Sequence, residues 1–118
     1  MSNHIETGKT GEDLAVAWLM QQGFEILHRN WRYSYYEIDI IAKKENYLHF
    51  IEVKCRQLSS SILPEESVSK KKFRHLKKAA DIFLSKHPGF PWIQYDILSI
   101  RLAKNGNHEY FLIQDVFL

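Results

Sequence analysis

Glu37-Ile38-Asp39-Ile40-Ile41-Ala42-Lys43-Lys44-Glu45-Asn46-Tyr47-Leu48-His49-Phe50-Ile51-Glu52-Val53-Lys54 is the stretch that decides the fold. Ile38 to Lys43 is nearly continuous aliphatic chain, interrupted by the acid Asp39. Tyr47 to Cys55 carries Leu48, Phe50, Ile51 and Val53, interrupted by Glu52 and Lys54. Lys44, Glu45 and Asn46 form a polar bend between them, short enough for a hairpin. Strands apolar on both faces belong at the centre of a sheet covered by helices. Acids inside such strands are expensive.

With Glu45 and Asn46 as the two turn residues, Lys44 faces Tyr47, and counting back sets Asp39 opposite Glu52 and Glu37 opposite Lys54. Directly opposed side chains have Cβ atoms about 4.5–5.5 Å apart, so the two acids repel. Glu52 and Lys54 alternate onto the same face, about 6.6–6.8 Å apart. One patch thus collects Glu37, Asp39, Glu52 and Lys54. A divalent, oxygen-seeking cation such as Mg²⁺ would relieve the repulsion, because it takes one or two carboxylates together with water and phosphate oxygens. Lys54 could then orient or deprotonate a water and stabilise developing phosphoryl charge. The plainer alternative is an ion-pair network at a sheet end, with Lys54 neutralising both acids.

Outward from this hairpin, Thr10 to Gln22 reads as a helix. Leu14, Ala17, Trp18 and Gln21 follow helical spacing, Thr10 can cap it, and Gly23 can stop it. Phe24 to His28 reads as a short strand, and Arg29 to Tyr36 as an aromatic, basic stretch. Gln57 to Glu66 is a serine-rich loop. Ser67 or Ser69 can cap a second helix running to about His87, with Phe73, Leu76, Ala80, Phe83 and Leu84 inward. Trp92 to Leu102 and Tyr110 to Phe117 read as strands joined by a tight Asn105-Gly106 turn. The expected fold class is α/β: one domain over residues 1–118, a mixed central sheet flanked by helices, and a flexible segment at 1–9.

The whole chain has 118 residues, 16 basic and 14 acidic, for a net charge of +2. That size supports one core. The charge is too mild to argue for nucleic acid by itself, so the case depends on where the charges sit. A single cysteine, Cys55, excludes an internal disulfide and a thiolate zinc cluster, and alternation points it away from Lys54 as a small apolar group. No apolar run is long enough for a bilayer, and Met1 to Asp13 lacks a signal-peptide core, so a cytoplasmic protein is expected. The histidines show no close ligand spacing. Gly8-Lys9-Thr10 lacks the earlier glycine and strand of a phosphate loop, and Ser67-Val68-Ser69-Lys70 lacks the companions of a penicillin-binding enzyme.

Lys70, Lys71, Lys72, Arg74, Lys77 and Lys78 cluster without an acid among them. Helical spacing lets Lys70, Arg74, Lys77 and Lys78 share a face that could neutralise phosphates, although charge runs are commonly just solvated surface. Arg29, Trp31, Arg32, Tyr33, Tyr35 and Tyr36 form a second cluster, suited to backbone contact and base stacking, or equally to core or a dimer interface.

An acid on a first helix, an Asp on one strand and Glu-x-Lys on the next resembles the PD-(D/E)XK nuclease superfamily, which includes restriction endonucleases and archaeal Holliday-junction resolvases. The chain more closely resembles the YraN-like family of bacterial proteins. The matching pieces are Gly11-Glu12 with Ala15 and Leu19, Gly23-Phe24, Asn30 with Arg32, Glu37 to Ile41, Phe50 to Lys54 with Arg56, Ser67-Val68 with Lys72 and Ala80, and Tyr95-Asp96-Ile97. The resemblance implies a restriction-endonuclease-like fold. It also implies Asp39 and Glu52 as ligands of Mg²⁺ or Mn²⁺ with the Val53 carbonyl, Lys54 as the catalytic lysine, and Glu12 as the helix acid that completes the site. Tyr36 stands where the family usually has Gly, and Gln94 where it usually has Arg. Arg32, Arg56, Lys70, Lys72, Arg74 and Lys77 are the expected nucleic-acid contacts. The function expected is metal-dependent endonucleolytic hydrolysis of structured or branched DNA, with a homodimer suggested by analogy with four-way junctions. The alternative is a non-catalytic nucleic-acid-binding module.

Overall fold

Each apolar strand described above must bury two faces, and the chain supplies one helix for each. A computed structural model describes residues 4–57 and 69–116, with side chains from residue 11 onward. The order is α1 (His4–Gln21), β1 (Glu25–Tyr33), β2 (Tyr36–Lys44), β3 (Tyr47–Gln57), α2 (Lys70–Lys86), β4 (Ile93–Leu102) and β5 (Glu109–Ile113). The strands form one sheet in sequence order. Three neighbouring pairs are antiparallel, and β3 with β4 is parallel, joined by the crossover through α2. The sheet is mixed and its class is α/β, as expected.

The predicted register of β2 on β3 holds. Lys44 pairs with Tyr47, and the ladder runs to Ile40 opposite Ile51. Glu45 takes φ 56°, the left-handed conformation this tight turn needs. Alternation then sorts the core. Ile41, Leu48 and Phe50 pack with Phe73, Leu76, Ala80 and Phe83 of α2. Ile40, Ala42 and Ile51 pack with Ala15 and Leu19 of α1 and with Leu98 and Ile100 of β4. Ser69 caps α2 by accepting the Lys72 N–H at 3.2 Å; Ser67 lies outside the described residues.

Several expected boundaries move for identifiable reasons. α1 begins at His4, so Thr10 lies inside the helix and is not its cap. β1 continues through Tyr33 because Arg29 to Tyr33 pair with β2, around a second two-residue turn in which Ser34 has φ 57°. β5 ends at Ile113 rather than Phe117. There Asp115 turns to φ 56°, its N–H is taken by the Asp96 carboxylate at 3.0 Å, and Val116 N–H by the Tyr95 carbonyl at 2.8 Å. The β4–β5 connection is wider than a two-residue turn, with Gly106 at φ 87° and His108 Nδ1 accepting the Ala103 N–H at 2.9 Å.

Two close contacts lock the halves together. Gly11 of α1 lies against Cys55, and an added Cβ would fall 2.1 Å from Cys55 Sγ. Burial raises the Cys55 thiol pKa above its ordinary value. Buried His49 Nδ1 lies 2.6 Å from Asp96 Oδ2, tying β3 to β4. No described helix is long and apolar enough to cross a membrane.

Gly11→Ala is expected to cost about 1–3 kcal/mol in urea unfolding through overpacking. In a Cys55→Ala background most of that cost is expected to disappear, because only the Cys55 Cβ at 3.3 Å still meets the added methyl and alanine is the better helix former. Asp96→Ala, which leaves buried His49 without its hydrogen-bond partner, is expected to cost about 1–3 kcal/mol by the same measurement.

Candidate active site between β2, β3 and α2

The β2–β3 ladder stops one pair before the two acids. Beyond Ile40 and Ile51 the Asp39 side chain takes over, its Oδ2 accepting the Val53 N–H at 2.9 Å. In an extended strand a residue's N–H and C=O point to the same side, so the Val53 carbonyl is on the Asp39 side. An open cleft of about 320 Å³ forms where the strands part. Its lining includes Glu37, Asp39 and Glu52 from the sheet, and Lys71, Lys72, His75 and Leu76 from α2.

Lys54 Nζ is 3.4 Å from Glu52 Oε2, and Lys72 Nζ reaches the same oxygen at 4.0 Å. α2 thus delivers a second ammonium over Glu52, because Phe73 and Leu76 anchor the helix on the sheet beside it. The Asp39 carboxyl is pushed up to about 7, first by burial and then by the Glu52 charge, with the Val53 N–H pulling the other way. Lys72 is lowered from its ordinary value, chiefly by its contact with Lys54 and then by burial. Two acids and two lysines therefore share one partly dry cleft. Such an arrangement can hold a hard divalent cation and can neutralise phosphate oxygens.

The cleft brings Asp39, Glu52 and Lys72 together, and Lys54 joins through Glu52. Glu37 lines it but pairs with Arg32 at 3.3 Å, not with Lys54 as the extended register predicted, because the regular ladder has already ended. Glu12 is not in the cleft's lining. Its Oε1 accepts from Asn30 Nδ2 at 2.7 Å and Arg29 at 3.3 Å, with Asn30 at φ 52°, so it fastens α1 to β1. Arg56 lies at the end of β3 outside the lining, its Nε buried and without a hydrogen-bond partner among the described residues. Lys70 and Lys77 also stand outside it, and Lys77 Nζ lies 5.7 Å from the Phe73 ring centroid. Among the described residues no three His, Cys, Asp or Glu side chains converge as a metal cluster.

The aromatic stretch divides. Trp31 packs edge-on against Phe83 at 5.4 Å and Tyr36 joins the same core, whereas Tyr35 is 92 % exposed at the cleft. Sequence reasoning did not find Lys71, His75 and Tyr35 as cleft residues. The i, i+4 spacing of Lys72 with Leu76 was the available signal for the helix face. Gln94, in the position of the family's Arg, donates to Asp96 Oδ1 at 3.1 Å.

Comparison with known proteins matches residues 11–100 to the family described as "Uncharacterised protein family UPF0102". A UPF0102 protein of Bacteroides thetaiotaomicron is 38 % identical over 117 residues, covering 99 % of this chain and 96 % of that protein. A UPF0102 protein of Dictyoglomus turgidum is 45 % identical over 112 residues, covering 92 % and 95 %. One from Caldicellulosiruptor bescii is 41 % identical over 118 residues, covering 98 % and 99 %. With the family's motifs on β2 and β3 and its match spanning α1 to β4, this chain belongs to the UPF0102, YraN-like, family.

Proposed function

We propose that the cleft is the active site of a divalent-metal-dependent phosphodiesterase acting on nucleic acid, structured or branched DNA in particular. The observation that carries this reading is the forced approach of Asp39 to Glu52 beside two lysines, with the Asp39 carboxyl pushed up to about 7. Carboxylates left in mutual repulsion are what an oxygen-seeking cation would relieve. The donor set fits Mg²⁺ or Mn²⁺: Asp39, Glu52 and the Val53 carbonyl are hard oxygens, and such ions complete their shells with water and phosphate. When bound, the ion would act as a Lewis acid on a phosphoryl oxygen.

The chain's own residues supply the rest. Lys54 Nζ, held 3.4 Å from Glu52, can orient the attacking water and meet the negative charge that builds on phosphorus. Lys72 offers a second cation from α2 for the same charge. The water oxygen forms the new P–O bond as the bond to the leaving ester oxygen breaks. The water's proton passes to solvent, and the leaving oxygen takes one from solvent in return, while Lys54 stays an ammonium paired with Glu52. Glu12 acts at a distance, positioning α1 through Arg29 and Asn30. The second reading, a binding module without turnover, is favoured by one observation: both lysines already crowd the Glu52 carboxylate that an ion would need.

With Mn²⁺ and labelled linear, flapped, single-stranded and four-way-junction DNAs, wild-type protein is expected to cut at least one substrate. Lys54→Ala should lose about 10²-fold or more of that activity. Equal cutting by both proteins would sink the assignment; no cutting, with both still shifting DNA at low salt, favours the binding module.

The pH dependence has a definite sign. The folded-state carboxyl of Asp39 titrates at about 7, above its ordinary 3.8, so the folded protein holds this proton more tightly than the unfolded chain. The resulting stability is present below the ordinary value and is lost as pH rises through about 7. Asp39→Asn, neutral throughout, is therefore expected to stabilise the metal-free protein by about 1–3 kcal/mol at pH above 7 and to lose that advantage in acid. Mg²⁺ should raise the wild-type Tm more above that pH than below it, because metal and proton compete, and should move Asp39→Asn less.

A further inference from the structure

The Asp39–Glu52 cleft adjoins a second hollow of about 360 Å³, lined by Tyr36, Lys71, Arg74, His75 and Lys78. The two share Lys71 and His75. Lys71, Arg74 and Lys78 recur at i, i+3 and i+7, so they stand along one face of α2 over about 10 Å of helix. Among the described residues no carboxylate lines this hollow. Asp81, the one acid in the α2 sequence, acts on Tyr95 of β4. The face therefore differs from the one helical spacing alone suggested: Lys77 leaves it for the Phe73 ring, and Lys71 joins it.

Two features call for an anion there and a third says what it is attached to. α2 opens on Lys70, Lys71 and Lys72 with no acid in its first turn, a placement the helix dipole disfavours. Phosphate in the hollow would offset that cost while meeting the three aligned cations. Beside them Tyr35 lines the neighbouring cleft with 92 % of its surface in water. A projecting ring can take the face of a nucleobase, which in a duplex is already covered by the neighbouring pair.

We infer that this hollow is a track for a single nucleic-acid strand, its backbone phosphates on Lys71, Arg74 and Lys78 and an unpaired base stacked on Tyr35. The inference rests on the phosphodiesterase reading and deepens it by naming the substrate class: a strand unpaired next to the scissile phosphate, as at a flap, gap or open end.

Fluorescence anisotropy in EDTA tests it, with a short labelled oligothymidylate and a blunt duplex of equal length as probes at two salt concentrations. Wild-type protein is expected to prefer the oligothymidylate. Lys71→Ala/Arg74→Ala/Lys78→Ala should weaken that binding by about tenfold or more and lower the salt slope by about 2. Tyr35→Ala should weaken it roughly 5- to 150-fold. Lys70→Ala/Lys77→Ala removes exposed charge from the same helix and should cost under about twofold. All substituted side chains are exposed, and an unchanged Tm confirms that each variant folds. Equal losses in the two sets of cation substitutions, equal binding of the duplex, or indifference to Tyr35→Ala would each overturn the inference. Because no metal is present, absence of cleavage by the wild type counts against the hydrolase alone. Cutting of blunt duplex as fast as flapped DNA counts against the single-strand track alone.

Discussion

The hydrogen bond from Val53 N–H to Asp39 Oδ2 sits where the sheet changes purpose. Up to Ile40 and Ile51 the two strands satisfy each other's backbone and bury aliphatic side chains on both faces. One step further the side chain of Asp39 substitutes for a backbone partner, so the strands can part without leaving the Val53 donor orphaned. The parting opens the cleft, and the same acid that permits it is brought against Glu52. Across the cleft, the Phe73 and Leu76 contacts that seat α2 on the sheet also carry Lys72 to Glu52. Core packing and site geometry are therefore one arrangement. A shift of α2 by one residue would misplace both its buried stripe and its lysine.

What the sequence makes legible follows the range of the forces involved. The hairpin between β2 and β3 is a local object, fixed by a two-residue turn and by alternation. Its register, its central place in the sheet and the convergence of Asp39 with Glu52 could all be read from spacing. The helical periodicity of α1 and the apolar run of β4 could be read in the same way, whereas the parallel pairing of β4 with β3 is set by the crossover through α2. Features decided by distant partners could not be read so. β5 stops early because a carboxylate from β4 claims Asp115 N–H. Glu12 is taken up by Arg29 and Asn30, which helical spacing cannot foresee. Glu37 turns to Arg32 because the ladder has ended before it reaches Lys54. The rotation of α2, which decides whether Lys71 or Lys77 faces the cleft, depends on how Phe73 and Leu76 meet the sheet.

Two aspartates lie within the strands of the sheet, and their treatment by the surroundings separates their roles. Asp96 is fully buried, and it receives His49 on one oxygen and both Gln94 and the Asp115 N–H on the other. Every partner stabilises it, and each belongs to a different segment, so its work is to hold β3, β4 and the chain after β5 together. This also accounts for Gln94: a polar side chain two residues before Asp96 on β4 reaches that carboxylate, so its role follows from Asp96 and requires no phosphate. Asp39 is treated in the opposite way. It receives one neutral donor, faces the charges of Glu52 and Glu37, and opens onto solvent through a cleft. A fold that satisfies one carboxylate so completely has the means to satisfy the other. That Asp39 is instead kept beside like charge, with two lysines near enough to share a ligand's oxygens, is the strongest physical reason to regard this end of the sheet as built for something that binds there.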